Sequence, residues 1–216
     1  MSDLLQRWRD ALPPSAPAAA GSRYGQELLA RWQEPHRYYH TEHHLAAVLT
    51  VIDEHADWAH DPTAVRLAAW FHDAVYLPQR VDNEEASALL AEAWLPDLRL
   101  GGDLVAEVAR LVRLTASHDP MPGDRNGGLL SDADLAILAA PAETYRWYSH
   151  AIRREYAHLP DAVFAGGRAA VLENLLSLPR LFHTPVLRDR FEDAARRNLS
   201  RELTALRDNT LPYAPI

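Results

Sequence analysis

Residues 69–76 read Ala69-Trp70-Phe71-His72-Asp73-Ala74-Val75-Tyr76, a stretch apolar enough to be core except for two adjacent polar side chains. An unpaired buried charge is costly, so any fold of this chain must satisfy both. The local pattern sharpens that demand. Asp61-Pro62 places an N-cap residue before a Pro at the first helical position. Val65, Ala68, Ala69 and His72 then recur at helical spacing. Asp73 falls near the C-terminal end of this helix, where the macrodipole disfavours a carboxylate. Two arrangements meet the demand: a buried His hydrogen-bonded to a carboxylate, or a divalent cation held by imidazole and carboxylate.

The rest of the chain also reads as helix, punctuated by Pro, Gly and Asp. A short N-terminal helix is followed by a loose connection over Ala11 to Gly21, rich in Pro and Ala. Ser22 opens a helix with Leu28, Leu29 and Trp32 on one face, and Thr41 can cap the helix that carries His44, Val48 and Ile52. Asp82 with Glu85 three residues later fits a capping box, opening a helix through Leu89, Leu90 and Trp94. Leu104, Val108, Leu111, Val112 and Thr115 keep the helical period, and 120–128 is a polar, Gly-rich loop. Ser131 is expected to cap the helix carrying Asp134. Helices follow over 145–158 and 163–178, and Thr184-Pro185 starts a last one running to about Leu206. The ending 209–216 is expected to be a tail packed on the surface. No stretch alternates convincingly enough for a strand. The expectation is an all-α protein, one helical domain over 1–216, with its core at about 34–206 and an N-terminal helix and loop over 1–33.

Composition limits what such a domain can do. The chain has 216 residues, enough to bury a sizeable core, and no cysteine. Disulfides and thiolate metal sites are therefore excluded, and any metal must use His and carboxylate. The formal charge of −8 argues against a general polynucleotide binder, which would carry a basic face. A small anionic substrate stays compatible, because a metal and a few arginines focus charge locally. No Lys is present, which rules out a Lys-based Schiff-base mechanism. Without an apolar run of membrane-spanning length or a visible signal peptide, a cytoplasmic protein is expected.

The candidate site residues are distributed along the chain. Upstream of His72-Asp73 lies Arg37-Tyr38-Tyr39-His40-Thr41-Glu42-His43-His44, and downstream lies Ser131-Asp132-Ala133-Asp134-Leu135. His44 can face the core side of its helix with Val48. His43 reads as a solvent-facing residue and His40 as a pocket residue. Arg37 can contact phosphate, or form a salt bridge with Glu34 or Glu42. Ser131 with Asp134 also has a reading without metal, as a capping box with an acid in the first helical turn. Glu85 has a capping role available, while Glu84 has none. His118 ends a helix just before the polar loop, where a protonated ring is favoured by the dipole. Arg153, Arg154, Arg168 and Arg197 read as surface or inter-helix salt-bridge residues.

A His on one helix, His-Asp on the next and a late Asp on a further helix form an ordered set. Together with Arg37-x-Tyr39-His40-Thr41-x-x-His44, Phe71-His72-Asp73-Ala74-Val75-Tyr76 and Asp82-Asn83-Glu84-Glu85-x-Ser87-Ala88, it resembles the HD-domain superfamily. In particular it is similar to the small bacterial branch of predicted metal-dependent HD phosphohydrolases. The resemblance implies a helical HD domain with His44, His72, Asp73 and Asp134 as metal ligands. It further implies proton-handling roles for Asp73, Glu84 and His118, and substrate contacts from Arg37, His40, Ser87, His118 and Asp132. The implied cofactor is one divalent ion drawn from Mn, Co, Ni, Mg, Zn or Fe. The implied substrate is a nucleotide or another small phosphate ester or anhydride, in a protein with no polynucleotide or membrane partner and room for a homodimer. Two alternatives remain beside it. One is a non-catalytic metal- or ligand-binding regulatory module. The other is a di-iron oxygenase of the same scaffold, which would need two further His ligands between His72-Asp73 and Asp134, where only His118 lies.

Overall fold

In the computed structural model, which describes residues 3–208, the chain forms ten α-helices and three short 3-10 turns, with no strand among the described residues. The expectation of an all-α protein is met. The expected surface tail over 209–216, like the first two residues, lies outside the described residues. The chain divides after Ala133 into two compact units.

The first unit contains α1 (Asp3–Asp10), α2 (Ala18–Trp32), α3 (Glu42–Glu54), α4 (Pro62–Phe71), α5 (Asn83–Trp94), α6 (Gly102–Leu114) and most of α7 (Arg125–Leu135). Asp61 caps α4 as its sequence requires: its carboxylate accepts from the Ala64 N–H at 3.0 Å, and Pro62 follows it. Such a cap stabilises a helix by about 1 kcal/mol. The residues of α4 from Val65 to Phe71 are buried apart from Arg66, so this helix runs through the middle of the unit. It packs on α3, α5 and α6. Aromatic rings fill the space around it. Trp8 meets Trp70 edge-on at 5.4 Å, and Phe71 meets Trp94 at 6.3 Å. Both buried indoles of α1 and α2 are satisfied, Trp8 by the Gly21 carbonyl at 2.8 Å and Trp32 by that of Trp70 at 3.1 Å. Gly25 makes the α1–α2 approach possible, since a Cβ there would overlap the Trp8 ring.

Several expected helix starts are met in position but not in chemistry. Thr41 and Asp82 are the N-cap residues of α3 and α5, yet neither side chain caps. Asp82 binds Arg80 instead, and Glu85 is taken by Arg113, 28 residues away, so no capping box forms. Helix α2 begins at Ala18, which shortens the loose connection expected up to Gly21. The largest difference is at α7. It starts at Arg125, inside the expected loop, because the Asp124 carboxylate accepts from the Gly127 N–H at 2.9 Å. Ser131 therefore lies within the helix rather than at its cap, and the cap account of Asp132 and Asp134 fails with it.

The second unit contains the end of α7, a 3-10 turn over Ala136–Ala139, α8 (Ala142–Glu155), α9 (Asp161–Ser177) and α10 (Pro185–Arg207). Thr184-Pro185 opens α10 as expected. Asn198 on α10 donates its amide to the carbonyls of Leu138 and Ala140 at 2.8 and 2.9 Å, fixing the 3-10 turn against that helix. Arg168 of α9 and Glu202 of α10 form a buried two-pronged salt bridge at 2.9 and 3.1 Å. Of the four arginines read as surface or inter-helix residues, Arg168 is thus an inter-helix one. Among the described residues, no helix is long and apolar enough to cross a membrane.

Candidate metal centre

His72 stands one residue past the end of α4, and its environment determines which ring nitrogen is available. The Ala69 carbonyl, among the last of the helix, has no intrahelical partner of its own. His72 Nδ1 lies 2.8 Å from it, and a carbonyl can only accept, so Nδ1 carries the proton. In the neutral ring Nε2 then holds a lone pair. That nitrogen is 3.3 Å from His44 Nε2 and 3.2 Å from a carboxylate oxygen of Asp73. Three electron-rich atoms at such distances repel one another unless a proton or a cation lies among them.

His44 reaches this point from α3 and is buried beside Leu45 and Val48. Trp32 backs both imidazoles, its ring 6.2 Å from His44 and 5.3 Å from His72. Asp134 comes from the last turn of α7, the same continuous helix whose residues through Ala133 belong to the first unit. One ligand atom from each of His44, His72 and Asp134 lies within 4.8 Å of the other two. Asp73, the fourth expected ligand, meets His72 at 3.2 Å but is not in this three-residue cluster, and neither is the fully buried Asp132, two residues before Asp134 on α7.

The donor set fits a divalent ion. Metal–ligand bonds of about 2.0–2.2 Å at tetrahedral or octahedral angles separate neighbouring ligand atoms by about 3.0–3.5 Å. The 3.2 and 3.3 Å separations at His72 Nε2 fall in that range. The Nδ1–H bond to a backbone carbonyl is the outer contact that metal-binding imidazoles typically make. Helix ends supply a second argument. Asp73 follows the C-terminus of α4 and Asp134 lies in the last turn of α7. Each carboxylate is disfavoured by the local dipole, and a shared cation offsets both penalties.

Other expected site residues are distributed differently. His40 is partly exposed, with Nε2 4.0 Å from the Asp73 carboxylate and its ring 4.2 Å from that of Tyr76, at the rim of the cluster. His43 is exposed. The Arg37 side chain is wholly buried and engaged within the protein. It binds Glu34 at 2.9 and 3.0 Å and donates to the carbonyls of Asp73 at 2.8 Å and His40 at 3.2 Å. Of the two carboxylates expected as salt-bridge partners, Glu34 is the one engaged. Ser87, expected to contact substrate, bonds the backbone near the cluster. It is fully buried, and its hydroxyl accepts from the Val75 N–H at 3.0 Å and donates to the Val75 carbonyl at 3.2 Å.

Asn83 was not among the expected site residues, although it makes the matching contact. Its amide accepts from the Leu77 N–H and donates to the Leu77 carbonyl, both at 3.0 Å. Asn83 and Ser87 are four residues apart on α5, so one helix face clamps the backbone after His72-Asp73 at Val75 and Leu77. That spacing was the available signal. Glu84, between them, is half-buried and has no hydrogen-bond or ion-pair partner among the described residues. His118 is half-buried, lies outside the cluster, and adopts the left-handed conformation at φ 51°. Burial is the main cause that raises the pKa of Tyr148 on α8; Arg168 opposes the rise, Glu202 adds to it, and Asp134 adds least.

Comparison of the chain with protein-family models, with curated proteins and with solved structures found no match.

Proposed function

We propose that this chain is a metal-dependent phosphohydrolase of the HD type, acting on a nucleotide or another small phosphate ester or anhydride. The observation that carries the reading is the convergence of His72 Nε2 on His44 Nε2 at 3.3 Å and on the Asp73 carboxylate at 3.2 Å, with His44, His72 and Asp134 forming one cluster of possible ligand atoms. His44, His72, Asp73 and Asp134 would hold one divalent ion, taken from Mn, Co, Ni, Mg, Zn or Fe. Such an ion supplies Lewis acidity toward a phosphoryl oxygen and toward water.

The protein's own groups do the rest. Asp73 stands between His72 and His40, placed to accept a proton on the side of the site that His40 borders. Glu84 and His118 are the further proton-handling candidates, and Asp132 is kept as a contact near the ligands. Trp32, Tyr39 and Tyr76 supply apolar walls that limit water around the imidazoles. The acidic chain favours a small substrate over a polynucleotide. A cytoplasmic location and a homodimer belong to the same reading.

A panel of nucleotides and simple phosphate monoesters, assayed with added divalent metals, tests it. Hydrolysis of at least one substrate that a chelator abolishes and metal restores is the expected result. Tight metal binding without hydrolysis of any panel member would favour the regulatory module instead.

A further inference from the structure

In the second unit, α8 and α10 enclose a cavity of about 240 Å³ that takes no part in the proposed metal chemistry. Four residues of each helix line it at spacings of three, four and seven, so one face of each helix looks across the gap. The walls are apolar where Ala142, Ala205 and the Tyr145 ring contribute. The floor is closed by the Tyr145 hydroxyl, which donates to Glu202 at 2.5 Å.

The charges around this space do not cancel. Glu202 is neutralised within the protein by Arg168, which grips both its oxygens. Arg146 and Arg201 also line the cavity, and both are exposed. Neither has an ion-pair or hydrogen-bond partner for its guanidinium among the described residues. Glu143, one turn before Arg146, does not pair with it. Two uncompensated guanidinium groups thus face one cavity in a chain of net charge −8. Planar guanidinium groups match carboxylate and phosphate oxygens in paired hydrogen bonds.

Two further lining groups, Asn198 and Ser149, are left as acceptors only, which disfavours a second anionic group on the ligand. Asn198 donates its amide protons to Leu138 and Ala140, so its carbonyl oxygen is left to accept. The Ser149 hydroxyl donates to the Arg146 carbonyl at 3.0 Å and likewise keeps acceptor capacity. The volume lies below the roughly 300–1,000 Å³ of drug-sized ligand pockets. We infer that this cavity binds a small oxyanion with a short apolar body, its carboxylate or phosphate held by Arg146 and Arg201 and its body against Tyr145, Ala142 and Ala205. The inference stands independently of the metal centre.

Calorimetric titration of the full chain with benzoate, phenyl phosphate, inorganic phosphate and neutral benzyl alcohol tests it. Saturable one-to-one binding is expected for benzoate or phenyl phosphate, and which of the two binds tells a carboxylate site from a phosphate site. Binding should weaken about tenfold or more in Arg146→Gln and in Arg201→Gln, because each removes a charge-assisted contact. Both positions are exposed, so the variants should fold as the wild type does. Binding should survive His72→Ala, which separates this cavity from the metal centre. The inference is overturned if neither anion saturates at about millimolar concentration. Binding unchanged in both Arg variants, equal binding of benzyl alcohol, or binding lost in His72→Ala would each overturn it as well.

Discussion

His72 Nδ1 donates to the carbonyl oxygen of Ala69 at 2.8 Å, and this single bond turns Nε2 toward His44 and Asp73. A helix end supplies the acceptor, and the residue just past that end supplies the ring. Metal binding at this place would therefore depend on where α4 stops.

Asp73→Ala is expected to abolish metal binding and leave the protein folded. The Asp73 backbone carbonyl, which Arg37 holds, is untouched by the change. In the metal-free state the variant should be as stable as the wild type, or more stable by about 0.3–1 kcal/mol, because a carboxylate leaves the negative end of a helix. Thermal melts in chelator provide the check. Loss of folding in this variant, with a wild type indifferent to metal, would favour a buried His–carboxylate pair.

Ser87→Ala should cost about 1–3 kcal/mol, since the Val75 N–H and carbonyl both lose their buried partner. Asn83→Ala should behave alike through Leu77. Because the clamped backbone follows directly on His72-Asp73, both variants should also bind metal more weakly. Denaturant unfolding and metal titration of the same samples compare the two effects. Unchanged metal affinity beside reduced stability would limit the clamp to a structural role.

The parts of the fold visible in the sequence are those set by near neighbours. Asp61-Pro62 and Thr184-Pro185 open α4 and α10 where expected, because cap and Pro chemistry act within one turn. His44, His72 and Asp134 were candidates, and they do come together. What the sequence hid is set by distant partners. Glu85 answers to Arg113 rather than to the α5 N-terminus, and Arg37 answers to the Asp73 carbonyl 36 residues away. The start of α7 was hidden for another reason: Asp124 sits among Gly and Pro residues that read as loop, yet it caps the helix through Gly127. That local error moved Asp134 from the first turn of a helix to the last and inverted its relation to the dipole.

His118→Ala should keep bound metal and lower turnover on phosphate esters. His118→Gly should lower turnover equally while gaining about 1 kcal/mol of stability, because glycine adopts the left-handed conformation without the Cβ penalty. Single-turnover kinetics and melts on both variants make the comparison. Wild-type turnover in either variant would remove His118 from the chemistry, and loss of metal would place it among the ligands.

Glu107 ties α6 to α7, accepting from Arg110 at 2.7 Å and from Asn126 at 2.8 Å. The Arg110 hydrogen bond is the main cause that lowers its carboxyl pKa; burial opposes it, and Asn126 and the Arg110 charge assist. A depressed folded-state pKa contributes stability that is present above the unfolded value, about 4.3, and is lost as pH falls through the folded value. Glu107→Gln should therefore lose less stability than the wild type on acidification through that window. Parallel melts across the acid range check this, and identical pH dependence in both proteins would refute it.

Elemental analysis of bound metal in the purified wild type and in His44→Ala, His72→Ala, Asp134→Ala and Asp132→Ala tests the central claim most directly. After incubation with a divalent ion and desalting, the wild type and Asp132→Ala should retain about one ion per chain, and the other three variants should retain almost none. A wild type that retains no divalent ion would contradict the account, as would metal retained in Asp134→Ala and lost in Asp132→Ala.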